Sequence, residues 1–379
     1  MKIAVNGWFY NQIHTGSGQY LHYLLPALLR LNPKLEIALI VPAFARRGAP
    51  PDWPSGIQIH PIPLKPGNLG KVYFEQILFP RAARALRADV VHVPYFGSPL
   101  SPRLPTVVTV HDLIPLLLPA YRGGPLVRLY TSLAAASAAN ASLILADSEA
   151  SRRDILTHLR LPADRVRTVY LAPAPHYRPA ETWAQIEAVS RKYNLPETFA
   201  LYIGGYDVRK NVRNLLYAWT FVAAGLGDEL KLVLAGELPA ADTPFFPNPL
   251  KLARELGIEQ HIVTPGWIDE ADKPALYSAA RLFVYPSRYE GFGLPVLEAM
   301  ACGTPVVTTN AASLPELTGT DAFQIDPDDT RHMAGPIIAL TIQEDTHNDM
   351  AERAYRQAQK FSWQKTAYQT LQAYRDVIP

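Results

Sequence analysis

In the stretch YEGFGLPVLEAMACGTPVV, residues 289–307, two glutamates stand eight residues apart, Glu290 and Glu298. Between them lie Gly291, Phe292, Gly293 and Pro295. The preceding LFVYPS reads as an apolar strand and RYEGFG as a loop, and Pro295 suits the first turn of a helix through PVLEAMACG. Gly291 and Gly293 permit positive φ and close backbone approach to a ligand. The N–H groups of Gly293, Leu294 and the following turn would attract an anion, assisted by the helix dipole. Glu290 falls ahead of this helix and Glu298 about one turn inside it. A carboxylate accepts from two hydroxyls at once. A diphosphate at the helix start would therefore have one carboxylate beside each of its two substituents. That is the chemistry of nucleotide-sugar recognition, with hexose toward Glu290 and ribose toward Glu298. The plainer alternative is that both glutamates merely favour a helix N-terminus. Glu290, however, precedes a loop where capping has no use for it.

Further candidates also follow apolar strands. GGYDVRKN puts Lys210 where a cation could meet a phosphate, against the plain reading of a solvated loop lysine. TVVTVHDLIP sets His111 and Asp112 just past a strand, either facing a ligand or forming a buried structural pair. HTGSGQY places Gly16, Ser17 and Gly18 between the first strand and its helix, where they either approach a diphosphate or form a tight turn. YFEQILFPRAARALR carries Arg81, Arg84 and Arg87, a solvated face in preference to acceptor or peripheral membrane contact. His92, in DVVHVP, reads as a core histidine. DPDD, residues 326–329, reads as an acidic turn, and no Asp-x-Asp follows a strand as a metal-bridged diphosphate would require.

EGFGLPVLE resembles the E-x7-E signature of the retaining glycosyltransferases of family four, which have the GT-B fold. The resemblance runs from TGSGQY through HDLIP and GGYDVRKN to the C-terminal helix. It implies that Glu290 contacts the donor hexose, that Glu298 binds the ribose, and that the backbone at Phe292, Gly293 and Leu294 lies against sugar and diphosphate. It also implies that Lys210 stabilises the departing diphosphate and that His111 hydrogen-bonds the transferred sugar. The family arginine five or six positions before the lysine is missing, since Gly204 and Gly205 stand there. Arg209 and Arg213 are the alternatives, although consecutive residues at a helix start point different ways. The HDLIP and RKN wording is similar to bacterial mannosyltransferases of surface-polysaccharide assembly. The resemblance thus implies a GDP-mannose donor, a glycan or lipid-linked acceptor, and no cofactor or metal. It further implies displacement on one face, with the diphosphate itself taking the acceptor proton.

The elements that must position these residues alternate as βαβ units. Strand patterns in the first half are KIAVNG, EIALIVP, IQIHPIP, VVHVPYF, TVVTVHD, LILADS and VRTVYLA; the second half has TFALYIGGYD, LKLVLAG, IVTPGW, LFVYPS, PVVTTN and AFQIDP. Each half opens with an apolar strand, a glycine-bearing loop and a helix. This predicts an α/β protein of two Rossmann-like doubly wound domains facing across a cleft. The expected boundaries are an acceptor-side domain over 1–172, a donor domain over 173–362, and a C-terminal helix, 363–379, crossing back to the first domain. The 35 prolines mark loops at RRGAPPDWPSG and HPIPLKPGN.

A chain of 379 residues suits two domains. With 36 Lys and Arg against 34 Asp and Glu, no global field points to nucleic acid. No stretch approaches the roughly 20 apolar residues of a membrane span. The lone Cys302 excludes an internal disulfide, and together these features predict a cytoplasmic enzyme, with the inner membrane face as a place of work. A dinucleotide-binding dehydrogenase is disfavoured because TGSGQYL lacks the third glycine of G-x-G-x-x-G. A GT-B epimerase or hydrolase acting on nucleotide sugars, and a non-catalytic sugar-binding protein, are the remaining alternatives. Incubation without acceptor separates the first, and donor affinity without turnover marks the second.

Overall fold

The computed structural model describes residues 1–13, 15–45 and 53–379. His14 of HTGSGQY and RRGAPPD of the first proline-rich loop lie outside the described residues. The chain divides into two compact units, one of Met1–Leu171 with Ser362–Pro379 and one of Ala172–Phe361.

The first unit is built on seven strands: β1 (Lys2–Asn6), β2 (Glu36–Pro42), β3 (Ile57–Ile62), β4 (Val90–Val93), β5 (Thr106–Val110), β6 (Leu143–Ala146) and β7 (Val166–Thr168). Their order is β3-β2-β1-β4-β5-β6-β7, and every pairing is parallel. A parallel sheet covered on both faces needs near-continuous apolar strands, as in TVVTV and LILA. β3 is an edge strand, where Pro61 can sit despite lacking an N–H. The helical stretch over KVYFEQILFPRAARALR is not one regular helix. Asn68–Tyr73 and Phe79–Ala85 are α-helical, and Phe74–Leu78 between them is a π turn. Arg81, Arg84 and Arg87 are exposed, as a solvated face requires. The last helix, Trp363–Val377, packs in this unit against Gly16–Leu31, with Trp363 stacked on Tyr23 at 5.4 Å.

The second unit repeats the plan with six strands: β8 (Phe199–Ile203), β9 (Lys231–Ala235), β10 (Ile262–Gly266), β11 (Leu282–Tyr285), β12 (Val306–Thr309) and β13 (Phe323–Ile325). They are parallel in the order β10-β9-β8-β11-β12-β13. In each sheet the order reverses beside the unit's first strand, between β1 and β4 and between β8 and β11. Open α/β sheets bind ligands beyond the carboxyl ends of their strands at such points.

Candidate active site

At the second reversal, the loops after β8 and β11 lie against each other. Val208–Lys210 forms one 3-10 turn, ended by Asn211 in the left-handed region at φ 58. The buried Asn211 amide donates to the carbonyls of Pro286 at 3.1 Å and Pro327 at 2.8 Å. Arg288 N–H donates to the Arg209 carbonyl at 2.8 Å. These bonds tie three loops together and lay residues 209–210 along 287–290.

The result is a cluster on the Glu290 carboxylate, which is 9% exposed. Oε1 receives Lys210 Nζ at 2.8 Å, the Ser287 hydroxyl at 2.6 Å and the Tyr285 hydroxyl at 3.0 Å. Oε2 meets Arg209 Nη1 at 2.7 Å. Burial would raise the Glu290 pKa, but Lys210 and Arg209 overcome it and hold the carboxylate at about 2. Arg209 and Lys210 therefore converge, one on each oxygen, and do not diverge as neighbours at a helix start would. The tight turn and the long guanidinium arm allow it. Arg213 instead lies over Tyr217 of its own helix at 5.7 Å. At Gly204 a Cβ would stand 2.8 Å from the Tyr202 hydroxyl, so an arginine there would have to displace that ring.

Beyond Glu290 the chain turns through Gly293, at φ 112, into the helix Leu294–Ala301. That φ favours glycine. Ser313 Oγ donates to the Glu290 carbonyl at 3.0 Å and the Phe292 carbonyl at 2.6 Å, fixing the loop, while the Phe292 ring is buried toward Phe361. The helix start has no side-chain cap and no acidic residue in its first turn, which leaves its dipole uncompensated for an anion.

Glu298, 8% exposed, lies within this helix and accepts from the Tyr277 hydroxyl at 3.0 Å. Burial raises its pKa to about 7; Lys273 opposes the shift and Glu270 adds to it. Glu270 belongs to the loop after β10, takes Lys273 Nζ at 2.6 Å, and acts on Glu298 through its charge. The two carboxylates thus sit in different electrostatic settings, Glu290 between two cations and Glu298 buried against tyrosine with Lys273 and Glu270 acting on it in opposite directions.

In the first unit, His111 follows β5. Its Nδ1 meets Asp147 Oδ2 at 2.6 Å and its Nε2 meets the Pro94 carbonyl at 3.2 Å. Burial would lower the His111 pKa, but the Asp147 charge and hydrogen bond raise it. With an acceptor on both nitrogens, the surroundings favour the protonated ring. The sequence neighbour Asp112 acts on the ring through its charge, while its carboxylate accepts from Ile114 N–H at 2.9 Å. Sequence reading missed Asp147. The available signal was that LILADS ends beside TVVTVHD, because β5 and β6 pair at Val110 and Ala146.

Gly16, Ser17 and Gly18 form the first turn of Gly16–Leu31, capped by Thr15, whose Oγ1 accepts from Gly18 N–H at 3.2 Å. Gly18 is buried, and a Cβ there would lie 2.0 Å from the Gln12 carbonyl, so packing within the protein requires that glycine. Gly16 is exposed with open space around it. His92 is a core residue, bonded to Thr109 at 2.9 Å and to Tyr374 of the last helix at 2.6 Å. The DPDD turn has structural partners: Asp328 pairs with Arg288, and Asp329 caps the helix Thr330–Ile342. Among the described residues, no group of three or more His, Cys, Asp or Glu is placed to hold a metal ion.

The family model described as Glycosyltransferase Family 4 matches residues 14–172, and the one described as Glycosyl transferases group 1 matches residues 185–357. The chain is 37% identical over 307 residues to O-antigen chain mannosyltransferase B of Escherichia coli, covering 79% of this chain and 78% of that protein. The chain belongs to glycosyltransferase family 4. Solved structures agree in fold. Sucrose-phosphate synthase from Thermosynechococcus elongatus matches with a TM-score of 0.73 at 21% identity, over 100% of this chain and 99% of that one. Anabaena Alr3699/HepE in complex with UDP and glucose gives 0.71 at 18% identity, over 99% and 100%. This family 4 protein is therefore a retaining hexosyltransferase with the GT-B fold. Among its described residues no helix is long and apolar enough to cross a membrane.

Proposed function

We propose that the protein transfers mannose from GDP-mannose to a glycan or lipid-linked acceptor during surface-polysaccharide assembly, working without a metal at the cytoplasmic face of the membrane. The observation that carries the site assignment is the pair of buried carboxylates at either end of residues 290–298, one between two cations and one beside tyrosine. Similarity to a mannosyltransferase of O-antigen supports the donor sugar and the pathway class.

In this reading the diphosphate lies at the uncapped start of Leu294–Ala301, with ribose hydroxyls on Glu298 and the hexose toward Glu290. Lys210 and Arg209 stabilise the negative charge that grows on the diphosphate as its bond to the sugar breaks. The acceptor oxygen bonds the anomeric carbon on the face the diphosphate leaves, and the acceptor proton passes to a diphosphate oxygen. Carbon–oxygen bond is exchanged for carbon–oxygen bond with retained configuration. For His111, the family resemblance suggests a hydrogen bond to a hydroxyl of the transferred sugar, which its Nε2 can make only by leaving the Pro94 carbonyl.

A thermal-shift panel of nucleotide sugars, followed by turnover of the ligand that stabilises most, tests the donor assignment. GDP-mannose is expected to raise the melting temperature most and to yield an α-mannoside by proton NMR. Stabilisation and turnover with a uridine nucleotide sugar alone would overturn GDP-mannose. Turnover to free sugar or an epimer, unaffected by any glycan, would favour a nucleotide-sugar hydrolase or epimerase.

A further inference from the structure

Two neighbouring helices of the first unit carry large apolar side chains that the fold leaves in water. On Asn68–Tyr73, Leu69 is 88% exposed, and Tyr73, one turn further on, is exposed as well. The helix Pro125–Ala139 opens with Leu126 at 82%, Leu129 at 68% and an exposed Val127 between them. The helices meet where Lys71 Nζ stands 4.9 Å from the centre of the Tyr130 ring. There the Tyr130 hydroxyl also donates to Glu75 at 3.1 Å. Leu69 and Tyr73 are each two residues from Lys71, and Leu129 adjoins Tyr130, so both apolar sets belong to one region of surface. The start of the second helix is braced: Arg128 Nε donates to the Gly123 carbonyl at 3.2 Å, and Gly123 turns at φ 61 beside Val127. Single apolar residues are ordinary on a protein surface, but five gathered on adjoining helices mark an interaction site.

The charge around this patch has one sign. Residues 113–146 hold Arg122 and Arg128 and no acidic residue. Residues 54–88 hold Lys65, Lys71, Arg81, Arg84 and Arg87 against a single acid, Glu75, which is buried. The whole chain, by contrast, has a formal net charge of only +2. Lys65, Arg122 and Arg128 are exposed close to the leucines in sequence. Apolar side chains set among cations suit the surface of an anionic bilayer. The leucines enter the boundary between headgroups and acyl chains, and the cations meet lipid phosphates. A second copy of the chain fits less well, because a two-fold contact would set these cations against themselves.

We infer that this face seats the protein on an anionic lipid surface. Leu69, Tyr73, Leu126, Val127 and Leu129 insert, while Lys65, Arg122 and Arg128 bind lipid phosphates. The inference deepens the reading of transfer at a membrane face and rests on it for its purpose, although the binding itself is measured without turnover.

The test is co-sedimentation of the full chain with vesicles of phosphatidylcholine, alone or mixed with phosphatidylglycerol. Wild type should bind the mixed vesicles, leave them at high salt, and bind phosphatidylcholine about ten-fold more weakly or worse. The double substitution Leu126→Ser, Leu129→Ser should weaken binding about ten-fold or more, because two leucines no longer leave water. Arg122→Gln should weaken it about five-fold on mixed vesicles and leave binding to phosphatidylcholine unchanged. Trp183→Ser removes a side chain that is 75% exposed on the second unit and should change neither. Equal binding by wild type and the double leucine variant would overturn the inference, as would an equal loss in Trp183→Ser. Binding indifferent to salt and to lipid charge would overturn it too. A wild-type dimer that the double leucine variant turns into a monomer, seen by light scattering without vesicles, would make this face a contact between copies instead. Wild type that transfers to a water-soluble acceptor but binds no vesicle contradicts this inference and leaves the transfer reading standing. Vesicle binding without transfer to any acceptor does the reverse.

Discussion

Glu290 and Glu298 are buried to the same degree, yet their neighbours drive them in opposite directions, to about 2 and about 7. For Glu298 this links folding to pH. Below the ordinary carboxylate value near 4.5, both folded and unfolded forms are protonated and the shift has no effect. Between there and about 7 the unfolded chain releases its proton more readily, so stability falls as pH rises; above 7 the loss is complete. Glu298→Gln should be more stable than wild type at pH 8, by roughly 1–3 kcal/mol, and no more stable at pH 4. Urea denaturation at the two pH values checks this. The comparison must be made between these two proteins, because Glu75 is also raised to about 7 and tilts both curves alike. Equal stability gaps at both pH values would mean that the buried Glu298 does not titrate in this range. At the same scale, Arg209→Ala should lower turnover while Arg213→Ala leaves it unchanged, since only Arg209 reaches Glu290. Steady-state kinetics showing the reverse order would reassign the second cation.

The loops that hold these residues depend on Asn211. It occupies a left-handed conformation that costs roughly 1 kcal/mol for most residues, and its amide satisfies two carbonyls of other loops. Asn211→Ala strains the backbone and strips both carbonyls, so it should destabilise the protein by about 2–4 kcal/mol and reduce turnover as Lys210 and Arg209 lose their register. Asn211→Gly relieves only the strain, and should recover part of the stability but little of the activity. Melting curves and kinetics on the two variants separate these effects; equal activity in Asn211→Gly and wild type would show that the side chain does not hold the site. The elements themselves were legible because buried parallel strands leave short apolar runs, and all thirteen strand patterns correspond to strands. The E-x7-E loop was legible because its glycines, proline and carboxylates are contiguous. Less legible were contacts that only pairing creates. Asp147 lies 36 residues from His111, and Arg209 meets a carboxylate 81 residues ahead. The π turn was hidden too, since KVYFEQILFPRAARALR has an unbroken helical appearance.

Across the whole molecule, charge stabilisation falls to Lys210, Arg209 and a helix start. Turnover should therefore survive EDTA; abolition by EDTA with rescue by magnesium or manganese would mean that a metal supplies the charge. The most direct test of the central division, sugar at Glu290 and ribose at Glu298, is calorimetric titration of free GDP into Glu290→Gln and Glu298→Ala, read beside their turnover. Glu298→Ala should lose about 1.5–3 kcal/mol of GDP affinity, the magnitude for hydrogen bonds to a charged group. Glu290→Gln should bind GDP at least as well as wild type, because Lys210 and Arg209 are freed from a carboxylate, while its turnover falls far more than its donor affinity. Equal loss of GDP affinity in both variants, with full turnover in Glu290→Gln, would contradict that division and make the two carboxylates structural partners of one loop.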